Sequence, residues 1–350
     1  MTPRNAGIQE DEMNEAMHAT ARELVASGKG ILAADESTGT IKKRFDQIGV
    51  GSTEDLRRRY RQMLFTTPGL GEHISGVILF DETIRQATDD GIPFVKVLEA
   101  AGSIPGIKVD TGAKPLALFP GETVTEGLDG LRERLAEYVE LGARFAKWRA
   151  TILIGDGTPT DFTIMANAHA MARYAALCQE TDVVPIVEPE ILMDGAHDIV
   201  ACEDATGRTL VWLFEQMSDH RIDLQGSLLK VNMIVPGKDS PAQATDREIA
   251  EATIRCLTAY VPDTLPGIVF LSGGMSDEEA TNRLNEMNKI GGFPWQLSFS
   301  YGRALQHPAL LAWGGDEANV GAGQAALAHR AKMNGLARSG SYDPSMESAA

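Results

Sequence analysis

Eight short β-rich runs, each followed by a turn and then by a segment of helical period, constrain this chain more than any other feature. The runs are Gly30–Asp35, Gly76–Phe80, Gly106–Asp110, Phe145–Arg149, Val183–Glu188, Leu228–Asn232, Gly267–Ser272 and Trp295–Ser300. They recur roughly every 30 to 45 residues, the span of a βα unit with modest loops. Strands that alternate with helices imply a parallel sheet, open or closed. The count of eight favours an α/β fold of the (β/α)8 TIM-barrel type over a doubly wound sheet. The expected organisation is one domain over residues 1–338, opened by an N-terminal helix. The segment 339–350, rich in Ser, Gly and Pro, is expected to be a loose tail.

The helical segments carry their own signals. Met13, Met17, Ala21 and Leu24 share one face of the first. Ser276-Asp277-Glu278-Glu279 reads as a capping box that turns Ala280, Leu284 and Met287 inward. Thr123-Val124-Thr125-Glu126 reads as a second, leading to Leu128, Leu131, Leu135 and Tyr138 on one face.

Charge narrows the class of partner. A formal net charge of −17 repels nucleic acid and anionic membranes, so neither is expected as a partner. A small anionic substrate is still compatible, provided the cations are gathered in one place. Three widely spaced cysteines, Cys178, Cys202 and Cys256, suggest neither a metal knot nor a disulfide framework and fit a reduced, cytoplasmic compartment. Glu10, Asp11, Glu12 and Glu15 interrupt any signal-peptide pattern. No run approaches the roughly 20 apolar residues of a membrane helix.

In a barrel the C-terminal strand ends form the active face. Asp35 ends the first run, Lys108 and Asp110 the third. Lys147 and Arg149 lie in the fourth, Glu188 and Glu190 close the fifth, and Lys230 sits in the sixth. Side chains two apart on a strand point the same way, which pairs Lys147 with Arg149 and Glu188 with Glu190. Burying such groups is costly unless they are paired or used, and their convergence on one mouth points to use. Beyond the seventh and eighth runs, Ser272-Gly273-Gly274 and Ser300-Tyr301-Gly302-Arg303 offer backbone N–H groups, hydroxyls and a guanidinium where barrels often hold phosphate. Gly28-Lys29-Gly30 precedes its strand and lacks P-loop spacing.

Lysines close together in a dry mouth are expected to lose their protons more readily. A neutral amine attacks a ketone to form an imine, and the protonated imine is an electron sink for carbon–carbon cleavage. Glu188 is placed to move the protons this requires. No nicotinamide fingerprint is present. The seven histidines stand singly, with His197 and His220 reading as loop residues, so no metal and no cofactor are expected.

The stretches Gly30–Gly39, Gly76–Phe80, Phe145–Arg149, Val184–Ile191, Leu271–Gly274 and Phe299–Leu305 resemble those of class I fructose-bisphosphate aldolases, in order, from about Glu23 to Arg338. The resemblance implies cleavage of fructose 1,6-bisphosphate through a lysine Schiff base. It implies that Lys230 is the Schiff-base lysine, Glu188 the acid/base of imine formation, and Asp35 the acceptor of the C4 hydroxyl proton. Lys147 would favour the neutral form of Lys230, and Glu190 would pair within the same network. Ser272, Gly273, Gly302 and Arg303, with Ser300 beside them, would hold the ketose phosphate. Ser37, Thr40, Lys43, Arg44, Lys108 and Arg149 would contact the other phosphate or line its approach. A homotetramer acting on sugar phosphates is implied as well.

Two departures from the resembling pattern stand out. Val231 follows Lys230 where relatives carry proline, which would add a backbone donor beside the nucleophile. Many relatives end in a terminal tyrosine that assists proton exchange at C3, whereas the last tyrosine here is Tyr342, so a slower step or another group is expected. The residues leave two rivals open: a transaldolase or monophosphate aldolase, and a silent barrel used as a scaffold. Arg303 opposite Lys43 and Arg44 favours a bisphosphate, and the presence of all four reactive residues favours an enzyme.

Overall fold

The computed structural model describes residues 15–349. Ten strands follow in chain order: β1 (Gly30–Ala34), β2 (Ile74–Leu79), β3 (Ile104–Lys108), β4 (Gly112–Pro115), β5 (Thr123–Glu126), β6 (Phe145–Ile152), β7 (Val184–Ile191), β8 (Leu228–Val231), β9 (Gly267–Phe270) and β10 (Gln296–Tyr301). Eight of them close a parallel barrel in the order β1-β10-β9-β8-β7-β6-β3-β2. All eight runs read from the sequence are barrel strands. The other two, β4 and β5, form an antiparallel hairpin between β3 and β6.

That hairpin corrects one expectation. Thr123–Glu126 is a strand, not a helix cap, and the helix begins later, at Leu131 after a left-handed Gly130. The β-branched alternation Thr-Val-Thr turns Thr125 inward, where its N–H donates to Asn167 and its hydroxyl to the Arg149 carbonyl. Leu131, Leu135 and Tyr138 are buried on the helix that follows. The Ser276–Glu279 capping box is present with both of its reciprocal hydrogen bonds.

Strand alternation splits the barrel into an outer face under the helices and an inner column. Ile31, Ile78, Phe145, Val184, Ile186, Leu228 and Val269 fill the lower part of that column. The chain is helical over 15–24, and Met17, Ala21 and Leu24 close the barrel floor from below. Met13 lies outside the described residues. Phe145 fits only because Gly106 stands beside it: a Cβ there would sit 2.3 Å from the ring. Above this apolar floor the inward positions become charged, which is where the site begins.

The segment after Arg338, expected to be loose, is anchored at two of its described residues, Tyr342 and Glu347. Tyr342 is buried, its N–H donates to Asn285 and its hydroxyl donates to Glu347. Glu347 in turn takes hydrogen bonds from His329, at 2.8 Å, and from Arg330. An aromatic ring with a satisfied hydroxyl gains more from burial than the short polar segment loses in entropy. No helix among the described residues is long and apolar enough to cross a membrane.

Candidate active site

The inward residues one and two steps above the floor come from five neighbouring or facing strands. Lys108 of β3 is in register with Lys147 of β6, and Arg149 of β6 with Glu188 of β7. Lys230 of β8 follows, and Asp35 stands just past β1. Together they floor a cavity of about 390 Å³. Its rim is made by the loops after β1, β9 and β10 and by the hairpin, through Gly112 and Ala113.

At its centre Lys147 Nζ lies 2.7 Å from Asp35 and 3.2 Å from Glu188 Oε2, while Lys230 Nζ lies 3.1 Å from Glu188 Oε1. The two lysines therefore meet the two oxygens of one carboxylate. All of Lys147, Glu188 and Lys230 are nearly solvent-free, so each charge is felt at short range in a poor dielectric.

Burial alone would raise the Asp35 and Glu188 carboxyls. Lys147 and Lys230 outweigh it, helped at Asp35 by Lys108 and at Glu188 by Arg149, and both carboxyls are held below the usual range. Lys147 runs opposite to the expectation for crowded lysines. Burial pulls it down, but Asp35, Glu188 and Asp110 together raise it well above an ordinary lysine. The sequence showed the cations converging, but the carboxylates interleaved between them set the sign. Lys147 is a firm cation and Glu188 a firm carboxylate, and the Lys230 amine stands in direct contact with that carboxylate.

Around this centre, Arg149 pairs with Glu190 and Lys108 with Asp110, the latter at 2.8 Å. Ser272 and Gly273, after β9, and Ser300, Gly302 and Arg303, at the end of β10, line one wall. The helix Arg303–Trp313 opens at Gly302 with no side-chain cap, leaving its first N–H groups directed at the mouth. The Ser300 hydroxyl is buried with no hydrogen-bond partner among the described residues. Gly273 has φ +49°, a left-handed turn that lets the Ser-Gly-Gly backbone face inward. Ser37, Thr40 and Arg44 line the cavity from the loop and helix after β1.

Two placements differ from expectation. Lys43 is exposed on the helix Thr38–Asp46 and does not line the cavity, since the next residue, Arg44, takes the inward direction. Arg44 is not opposite Arg303. A Cβ on Gly302 would lie 3.4 Å from its guanidinium, so Arg44 rests against β10, on the Arg303 side. The cations that do face Arg303 are Lys108 and Arg149, because β3 and β6 stand across the closed barrel from β9 and β10.

Two lining acids were given no role by the sequence reading. Asp110, placed with Lys108 at the end of the third run, shares its inward direction by two-residue spacing, and its carboxylate also takes the Arg149 N–H. Glu36 gave no such signal of its own. It is revealed by Arg61, a cation on the apolar face of the helix Glu54–Phe65, which needs a buried anion.

The family model described as fructose-bisphosphate aldolase class-I matches residues 16–350. A probable fructose-bisphosphate aldolase class 1 of Xanthomonas campestris is 56% identical over 329 residues, covering 94% of this chain and 98% of the relative. Fructose-bisphosphate aldolase 1 of Toxoplasma gondii is 54% identical, covering 95% of this chain and 92% of its own. The fructose-bisphosphate aldolase of Plasmodium falciparum, solved as a ternary complex with TRAP and a small-molecule inhibitor, superposes with a TM-score of 0.94. Its identity is 48%, over 95% of this chain and 96% of that one.

Proposed function

The chain belongs to the class I fructose-bisphosphate aldolase family, and from that premise we propose how its residues divide the reversible cleavage of fructose 1,6-bisphosphate into dihydroxyacetone phosphate and glyceraldehyde 3-phosphate. Lys230 Nζ attacks C2 of the open-chain ketose. Glu188 accepts the ammonium proton beforehand and gives a proton to the departing C2 hydroxyl, so water leaves and the protonated imine forms. The imine draws the C3–C4 bonding pair toward itself as Asp35 takes the C4 hydroxyl proton. Glyceraldehyde 3-phosphate departs and an enamine remains. Reprotonation at C3 and hydrolysis, with Glu188 again moving the protons, free dihydroxyacetone phosphate. The contact of Lys230 with Glu188 at 3.1 Å carries this reading. Lys147 keeps both carboxylates ionised between steps.

The two phosphates go to opposite walls. Ser272, Gly273, Ser300, Gly302 and Arg303 hold the ketose phosphate with N–H groups, hydroxyls and one guanidinium, with Arg44 beside them. Lys108 and Arg149, steadied by Asp110 and Glu190, hold the other; Ser37 and Thr40 line the approach. Two separated cationic walls favour a bisphosphate over a monophosphate.

Incubation with dihydroxyacetone phosphate and EDTA, borohydride reduction and peptide mass spectrometry test the assignment. A three-carbon phosphate adduct on Lys230 is expected; one on Lys147 or Lys108 would move the nucleophile.

The C3 proton is served by a group other than Tyr342. That hydroxyl is committed to Glu347, and Tyr342 is not among the cavity-lining residues. Tyr342→Phe is expected to leave solvent-proton exchange into dihydroxyacetone phosphate unchanged while costing about 1 kcal/mol of stability in denaturant. Slowed exchange would place the ring at the site after all. A cytoplasmic homotetramer completes the reading, in line with an Arabidopsis thaliana relative named as cytosolic. Sedimentation analysis tests the assembly.

A further inference from the structure

Arg61 never touches the cavity, yet the structure places it where it can decide how much positive charge the cavity holds. Glu36, at the end of β1, is buried and meets two guanidinium groups: Arg44 at 2.6 Å on the cavity side and Arg61 at 2.5 Å on the far side. Gln306 locks the arrangement. Its amide N–H groups donate to Ala33 O at 2.6 Å and to Glu36 at 2.8 Å, and its carbonyl accepts from Tyr60 and Arg61. Arg61, Gln306 and Tyr60 are all buried, so water cannot substitute for any partner.

Glu36 with Arg44 alone is a neutral pair, and its arginine has little field left for an anion. Adding Arg61 makes the cluster net positive, and the only member that lines the cavity as a cation is Arg44. The site must attract phosphate inside a chain of net charge −17. Its own lining nearly cancels, since Asp35, Glu36, Asp110, Glu188 and Glu190 stand among its cations. One unbalanced buried charge therefore matters more here than at an exposed surface.

We infer that Arg61 is a positioning residue for anion binding: it shares Glu36 with Arg44, so the cluster keeps one net positive charge that Arg44 presents to a substrate phosphate. The inference rests on the reading of Arg44 as a phosphate-side residue, and deepens it.

Arg61→Met, Arg61→Lys, Glu36→Gln and Arg44→Met test it through KM for fructose 1,6-bisphosphate and the inhibition constant of inorganic phosphate. Arg61→Met is expected to raise both about tenfold, the scale of one charge-assisted contact, with kcat changing less than twofold. Arg61→Lys should restore most of the affinity, because the charge rather than the fork is what counts. Glu36→Gln should tighten phosphate inhibition severalfold, and it supplies the measurement if Arg61→Met does not fold. Loss of kcat and thermal midpoint in Arg61→Met with both constants unchanged would reduce Arg61 to a structural role and overturn the inference. Unaltered phosphate inhibition in Glu36→Gln would overturn it equally. If Arg44→Met leaves KM unchanged, the reading of Arg44 falls and this inference with it. If Arg44→Met raises KM but Arg61→Met does not, only the inference falls.

Discussion

Lys230→Met is expected to lower kcat/KM by on the order of 10⁴-fold or more while leaving the protein folded. On the proposed reading its amine is the group that becomes covalently bonded to substrate, with no second free amine at the same place. Lys147 is close but is held by Asp35 and Glu188 as a cation, and a protonated amine has no lone pair to attack with. Stability should change little. Methionine fills a similar volume on β8, and Glu188 keeps Lys147 and Arg149 as neighbouring charges. Steady-state kinetics, borohydride trapping and a denaturant midpoint separate the possibilities. Trapping that persists in Lys230→Met would assign the imine to another lysine. Lost activity with a lost fold would say nothing for chemistry and would contradict the expected tolerance of β8.

Lys147→Met is the change with the largest expected cost to the fold. Lys147 is the shared cation of two buried carboxylates, and removing it leaves Asp35 and Glu188 short of charge in a dry floor. Breaking a buried ionic group in this way costs about 3–5 kcal/mol. The pH dependence gives the test its sign. In the unaltered protein the Asp35 and Glu188 carboxyls are lowered on folding, so their contribution is present above about pH 4 and lost as pH falls through the folded values. Lys147 is raised on folding, so its contribution is present below roughly pH 10 and lost as pH rises beyond. Between those limits the cluster contributes a constant amount. Without Lys147, burial meets less opposition, and both carboxyls are expected to move upward. Protonation then relieves the folded state. The variant's deficit should therefore be smaller at pH 5 than at pH 8, in urea midpoints measured at both. The acid limb of kcat/KM should also move to higher pH, because Glu188 loses its largest ionising influence. An equal deficit at both pH values would show that Lys147 contributes by packing rather than by charge.

Much of this site was legible one strand at a time. The period-2 placement of Lys147 with Arg149, and of Glu188 with Glu190, is a property of any strand, and it survives into the barrel unchanged. The Ser-Gly-Gly and Gly-Arg turns were legible because backbone freedom and position after a strand are local facts. Lys43 and Arg44 were not separable by the same means. Adjacent residues on a helix differ by about 100° in direction, and only the docking of Thr38–Asp46 against β10 decides which one turns inward. Thr123–Glu126 was misread for a related reason. A capping-box pattern and a short β-branched strand share the same four letters, and the choice between them was made by Asn167 and the edge of β6. Arg61 and Glu36 are 25 positions apart, and no local pattern joins them.

By itself, then, the sequence determined the number of the barrel strands and the gathering of charged residues at their C-terminal ends. These follow from periodicity and from the cost of placing ions in apolar strands. The tertiary structure alone decided which charges become neighbours: Lys147 between two carboxylates, Arg44 on the Arg303 side, Lys108 and Arg149 across from it, and Arg61 behind Glu36. Electrostatic effects depend on separations of a few ångströms between residues distant in the chain, and barrel closure is what sets those separations.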